Sequence, residues 1–184
     1  MISEKWPDEK LIRLFKAGAT REAAFAAIIR KYQERLYWHL RRMLYIHEDA
    51  DDVLQNTFIK VWKNLDNFRE DARLYTWLYR IATNEALTHI KKEKKHLNGS
   101  IDNEELGLAN RLRADEYFDG DEAAIKLQEA IAQLPEKQKL VFNMRYFQEL
   151  KYDELSEILE TSVGALKASY HHAVKKIEQY LKNT

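Results

Sequence analysis

Aromatic rings interleave with arginines in the stretch DNFREDARLYTWLYRIATNEALTHIKKEKK. Phe68, Tyr75, Trp77 and Tyr79 alternate with Arg69, Arg73 and Arg80, and lysines follow at 91, 92, 94 and 95. Aromatic faces stack on unpaired bases, and cations track phosphates. The loop ahead of the helix, around Asn67, could receive an extruded base. The same residues also suit an aromatic-rich core with a lysine-rich helix end, which the helix dipole favours.

A second group lies in DADDVLQNTFIKVW. Its outer face collects Asp52, Gln55, Asn56, Ile59 and, at the border, Trp62. Acids and amides around apolar anchors fit a docking surface for another protein. Ile59 and Trp62 packed under a neighbouring helix would give the same spacing. The acids of DADD lie within one helical turn and point in different directions, and neither a glycine-rich phosphate loop nor a nucleophile elbow is present. No catalytic residues and no cofactor are expected.

The third group closes the chain. YDELSEIL followed by ETSVGALKASYHHAVKKIEQYL reads as a short helix, a turn and a longer helix, the helix-turn-helix arrangement. Ser162 is placed to cap the longer helix. At about 100° per residue, Gly164, Lys167, Ala168, His171, His172 and Lys175 face away from its apolar side. The small residues permit close approach to a groove, with cations on both flanks for phosphates. A solvated face on a helical hairpin is the competing reading. His171 and His172 are adjacent, so they diverge by about 100° and do not converge on one ion; no metal site is expected.

The rest of the chain must position these groups. Its 184 residues suit one large domain or two small ones, and with 45% hydrophobic residues each could hold a packed core. The formal net charge is zero, so any nucleic-acid surface is local. Cysteine is absent, which excludes disulfides and fits a reducing compartment. No apolar run reaches the roughly 20 residues of a membrane span, and MISEKWPDEKL lacks the hydrophobic core of a secretion signal. A soluble, cytoplasmic protein without membrane insertion is expected.

Apolar residues recur at three- and four-residue steps, which predicts an all-α fold of two small helical domains. In residues 1–95, a helix from Asp8 to about Ala17 stops at Gly18, and Thr20 is expected to cap the next one. That next helix buries Phe25, Ile28, Ile29, Tyr32, Leu36, Leu40 and Met43. A helix over about 48–65 turns Leu54, Phe58, Val61 and Leu65 inward, and another runs from about Leu74 to Lys95. Residues 96–121 carry seven acids against two arginines and read as an acidic linker. In 122–184, helices are expected at about 122–133, 136–146, YDELSEIL and the last segment, whose inner side is Val163, Leu166, Tyr170, Ala173, Ile177 and Leu181.

In this order the pieces resemble the extracytoplasmic-function sigma factors of bacterial RNA polymerase. DADDVLQNTFIKVWKNLDNF is similar to that family's region 2.2, and WLYRIATNEALTHIKK to its region 2.4. LPEKQKLVFNMRYFQELKYDELSEILETSVGALKASYHHAVKKI is similar to region 4. The resemblance implies a region 2-like domain, a linker threading polymerase, and a region 4-like helix-turn-helix. It implies that Asp52, Gln55, Asn56, Ile59 and Trp62 meet core RNA polymerase. Asn67, Phe68, Arg69, Arg73, Tyr75, Trp77, Arg80, Lys91 and Lys92 would then hold the melted −10 strand. Ser162, Gly164, Lys167, Ala168, His171, His172 and Lys175 would meet the −35 duplex. An anti-sigma factor is an implied partner. Many members carry arginines where Ser169, His172 and Val174 stand here, so phosphate affinity of the last helix should be modest. A two-domain helix-turn-helix regulator that binds duplex DNA without polymerase is the alternative.

Overall fold

The computed structural model describes residues 2–69, 72–96 and 120–183, excluding the side chains of residues 94 and 96. The expected acidic linker lies almost wholly outside the described residues. The chain divides into two units, Met1–Lys92 and Glu93–Thr184, each with its own core. Among the described residues there are eight α-helices and one short 3-10 turn, and no strand.

The first unit begins with α1 (Asp8–Lys16), which follows Pro7 and has Asp8 and Glu9 in its first turn. Both features favour a helix start, the proline by fixing φ and the acids by opposing the helix dipole. Leu11, Ile12 and Phe15 are buried. The chain reverses at Gly18, whose φ of +82° is costly for any residue with a Cβ. The next helix is α2 (Arg21–Leu44). Thr20 does not cap it. Its hydroxyl donates to the Leu14 carbonyl at 2.8 Å, satisfying an acceptor left open at the end of α1.

Helix α2 packs on both α1 and α3 (His47–Asn64). Ala24, Ala27, Ile28, Tyr32, Leu36, Leu40, Met43 and Leu44 line its buried side, while Phe25 and Ile29 are half-buried. Along α3 the buried set is Ala50, Val53, Thr57, Phe58 and Val61. Leu54, expected inside, is only half-buried because the buried stripe runs through Val53 and Thr57. The Thr57 hydroxyl donates to the Val53 carbonyl at 2.7 Å, which removes the penalty of burying it. Helix α3 runs into the 3-10 turn Leu65–Asn67, anchored by the fully buried Leu65.

Helix α4 (Leu74–His96) lays Leu74, Leu78, Tyr79, Ala82 and Ala86 into the same core. Its polar tie to α2 is internal: His39 is 1% exposed, its Nε2 lies 2.9 Å from Thr83 Oγ1, and its ring centroid is 5.1 Å from that of Tyr79. The other ring nitrogen, Nδ1, has no partner. Burial, reinforced by the charge of Arg42, lowers the His39 pKa to about 3.

The second unit is organised by its last helix. Helices α5 (Glu122–Ala132), α6 (Glu136–Tyr146) and α7 (Tyr152–Leu159) all pack on α8 (Val163–Asn183). Its core joins Ala130, Ile131, Leu134, Phe142, Ala173 and Ile177. The starts are chemically marked. Asp121 accepts from the Ala124 amide at 2.9 Å, Pro135 precedes α6, and Glu154 accepts from the Lys151 amide at 2.8 Å. Leu181 was expected on the inner side of α8 but is 42% exposed, since the last turn passes beyond the buried core. No described helix is long and apolar enough to cross a membrane.

The buried neutral His39 sets a pH dependence. Its folded pKa lies below its ordinary 6.5, so the unfolded chain takes up a proton below that pH and the folded chain does not. Stability is fully present above about pH 6.5 and falls by about 1.4 kcal/mol per unit beneath it. All four tryptophans (Trp6, Trp38, Trp62, Trp77) belong to the first unit, so their fluorescence reports its unfolding. Between pH 7.5 and 5.0 the native chain should lose about 2 kcal/mol more than His39→Gln in urea unfolding. Equal losses would rule out a neutral buried His39.

Candidate nucleic-acid interface

The end of α3, the 3-10 turn and the first half of α4 line an open cavity of about 450 Å³. Lys60 and Asn64 come from α3, Asn67, Phe68 and Arg69 from the turn and the residues after it, Ala72 from the approach to α4, and Trp77, Arg80 and Ile81 from α4. Leu65 sinks into the core and fixes the turn from below. Phe68 is 6% exposed and its ring sits 5.0 Å from Trp77, tilted by 49°. It therefore builds the aromatic wall rather than offering a free face.

Chemically the cavity combines an apolar wall, two carboxamides and three cationic side chains. Such a volume falls within the usual range for small-ligand sites. Carboxamides can donate and accept along the edge of a base, and guanidinium and ammonium groups suit the phosphates beside it. Lys60 is oriented by an ion pair with Glu85, and Asn64 Nδ2 donates to the Lys60 carbonyl at 2.8 Å.

The structure brings together Asn67, Phe68, Arg69, Trp77 and Arg80 and leaves four other expected residues away from the cavity. Arg73 is exposed at the start of α4, where its carbonyl accepts from the Trp77 amide at 3.2 Å. Tyr75 is half-buried and meets Tyr79 edge-on at 6.5 Å. Lys91 and Lys92 are exposed further along α4. Eleven residues make just over three full turns, so they nearly repeat the angular positions of Arg80 and Ile81, about 16 Å farther along the helix. Exposed Asn84 and Thr88 lie between them. The polar track thus leads away from the cavity along one side of α4.

Lys60 and Asn64 were missed as cavity residues. Their spacing of four on the exposed side of α3 is legible in the sequence, but nothing local ties that helix to the aromatic stretch that follows.

On α3 the docking stripe separates into two parts. Asp52, Gln55, Asn56 and Ile59 recur at three- and four-residue steps and are exposed, Ile59 by 51%. Trp62 instead turns inward. Its ring meets Phe15 at 5.2 Å and Phe25 at 5.0 Å, both edge-on, and the Arg21 guanidinium lies 4.9 Å from its centroid. Packing under neighbouring helices therefore holds for Trp62 and not for Ile59.

In the second unit, α7 ends at Glu160 with φ of +50°, and α8 begins after a short turn. Ser162 Oγ accepts from the Ala165 amide at 3.3 Å, the cap its position implied. Ser162, Gly164, Lys167, Ala168, His171, His172 and Lys175 are all exposed. A Cβ built on Gly164 would meet nothing within 4 Å, so this chain's own packing does not require a glycine there. Lys167 Nζ lies 5.7 Å from the Tyr152 ring centre, and Arg145 Cζ lies 5.3 Å from it. These ring contacts place cations from α6 and α8 at the start of α7. The His171 and His172 rings are 6.0 Å apart and inclined by 60°.

Comparisons with known proteins bear on both units. Residues 28–96 match the family Sigma-70 region 2, and residues 124–177 match Sigma-70, region 4. The chain is 32% identical over 183 residues to the ECF RNA polymerase sigma factor SigW of Bacillus subtilis (strain 168), with 95% of this chain and 97% of that protein covered. A structure of CnrH in complex with the cytosolic domain of CnrY gives a TM-score of 0.71 at 21% identity, covering 96% of this chain and 97% of that one. The sigma factor RpoE in complex with the anti-sigma factor NepR, from Bartonella quintana, gives 0.68 at 18% identity, covering 86% and 96%. These two likenesses are of fold. Two family regions matched in sequence order, with a relative similar over nearly its full length, place the chain in a family: it belongs to the extracytoplasmic-function sigma factors of the sigma-70 family.

Proposed function

We propose that this sigma factor docks on core RNA polymerase through Asp52, Gln55, Asn56 and Ile59, with Trp62 supporting that face from beneath. The first unit captures an unstacked base of the −10 element in its cavity and passes the strand along Arg80, Lys91 and Lys92. Ser162, Gly164, Lys167, Ala168, His171, His172 and Lys175 of α8 meet the −35 duplex. Residues 1–95 and 122–184 are the two working domains, joined by the acidic segment 96–121. The protein acts in the cytoplasm, without catalysis of its own, by directing polymerase to promoters and opening them.

The observation that carries this reading is the cavity, where Asn64, Asn67, Phe68 and Trp77 stand beside Lys60, Arg69 and Arg80. A duplex-only regulator without polymerase is not favoured, because it accounts for neither this cavity nor the region 2 match. An anti-sigma factor is a further partner, in keeping with the Bartonella quintana sigma factor held by one. The modest charge of α8 suits a reader whose effective concentration is raised by the polymerase and by the first domain.

In transcription reconstituted with core polymerase, this protein should direct initiation at discrete start sites. Asn67→Ala should lower promoter opening about tenfold, the scale of one or two lost hydrogen bonds, without weakening core binding. Ile59→Glu should do the reverse, weakening core binding tenfold or more while start-site choice persists at high polymerase concentration. Loss of core binding in Asn67→Ala, or none in Ile59→Glu, would overturn the assignment.

Lys167→Ala and Lys175→Ala should each reduce the slope of log affinity against log salt for promoter duplex by nearly one. An unchanged slope in both would remove α8 from the phosphate contacts.

A further inference from the structure

We propose that Lys16 and Arg21, which flank the α1–α2 turn, are positioning residues for the cavity. They set the 3-10 turn without touching nucleic acid. This rests on the reading that the cavity receives a strand base.

Neither residue lines the cavity. Arg21 nevertheless grips its rim from outside, with Nη1 3.0 Å from Asp66 Oδ1 and Nη2 2.7 Å from Asp66 Oδ2. Lys16 Nζ donates to the Phe68 carbonyl at 3.0 Å. Asn67 lies between these two held residues, exposed, on the cavity wall. One cation fixes the side chain before Asn67 and the other fixes the backbone after it.

The grip is itself anchored. The Arg21 guanidinium lies 4.0 Å from the Phe15 ring centre and 4.9 Å from that of Trp62. A planar guanidinium can stack and donate a fork of hydrogen bonds at once, which an ammonium cannot. Gly18 and the Thr20 hydroxyl fix the turn that carries both cations. Within the turn the Phe68 amide bonds back to the Leu65 carbonyl at 3.2 Å, and the bonds from Arg21 and Lys16 add partners outside it.

The arrangement fixes direction as well as contributing stability. The Arg21 and Asp66 side chains are 29% and 45% exposed, so solvent screens their attraction, while the bidentate, ring-stacked geometry sets where Asp66 points. A site that reads a base must be held within about 0.5 Å, and a two-point clamp around Asn67 meets that need.

The test uses the full chain reconstituted with core polymerase. The probe is a fluorescein-labelled single strand carrying the non-template −10 sequence of a promoter mapped by run-off transcription. The double variant Lys16→Met with Arg21→Gln should bind the probe at least tenfold more weakly. Core affinity should stay within about twofold, and the thermal midpoint within about 3 °C. Arg21→Lys should not restore binding, whereas the reciprocal exchange Arg21→Asp with Asp66→Arg should recover much of what Arg21→Asp alone loses. Unchanged probe binding in the double variant, while Asn67→Ala loses it, would overturn the clamp and leave the cavity reading intact. Unchanged binding in Asn67→Ala would overturn the cavity reading and the clamp with it. A loss that follows a large fall in midpoint and is not recovered by the exchange would show mere destabilisation and overturn the proposal.

Discussion

The aromatic cluster where α1, α2 and α3 meet governs the geometry of the first unit. Phe25 meets Phe15 at 5.9 Å, Phe58 at 6.3 Å and Trp62 at 5.0 Å, and Arg21 covers the Phe15 and Trp62 rings. Edge-to-face pairs contribute about 0.5–1.5 kcal/mol each beyond the area they bury. Their directionality matters as much as their energy here. By drawing Trp62 inward they settle the rotation of α3, which leaves Ile59 outward and delivers Leu65 to the core. The 3-10 turn then follows at a defined height against α4, and the cavity is the space that remains between them. The exposed stripe of α3 and the cavity are therefore two consequences of one packing arrangement.

Much of this was written in the sequence as periodicity. Helix positions, the Ser162 cap, the stop at Gly18 and the proline before α6 followed from local chemistry, because each depends on residues within a turn or two. The misplacements were all matters of tertiary environment. Thr20 found a carbonyl of α1 closer than the amides of α2. Leu54 and Val53 are both apolar, and only the packing of α3 against its neighbours decides which is buried. Trp62 lies on the same stripe as Ile59, yet its larger ring reaches partners from two other helices. Leu181 keeps the period of α8 beyond the point where anything remains to cover it.

The cavity shows the same limit. Its aromatic and arginine components stood together in sequence, so a base-binding site could be inferred from them. Lys60 and Asn64 come from a different helix and enter the wall only because α3 continues directly into the turn. Tyr75 and Phe68 belonged to the same aromatic run but became structural, one against Tyr79 and the other against Trp77. Composition pointed to that chemistry, while packing decided which rings line the cavity.

Gly164 carries a different lesson. It is the second residue of α8, in the first turn, where alanine would stabilise the helix by less than the ~1 kcal/mol of an interior position. Its φ is not in the left-handed region, and a methyl group would collide with nothing in the chain. The folded protein thus gains nothing from this glycine and gives up helix stability by having it. Residue size at this position becomes a ruler applied from outside: graded from glycine to alanine to valine, any steric loss in promoter affinity would measure how near the helix backbone comes to the surface it reads.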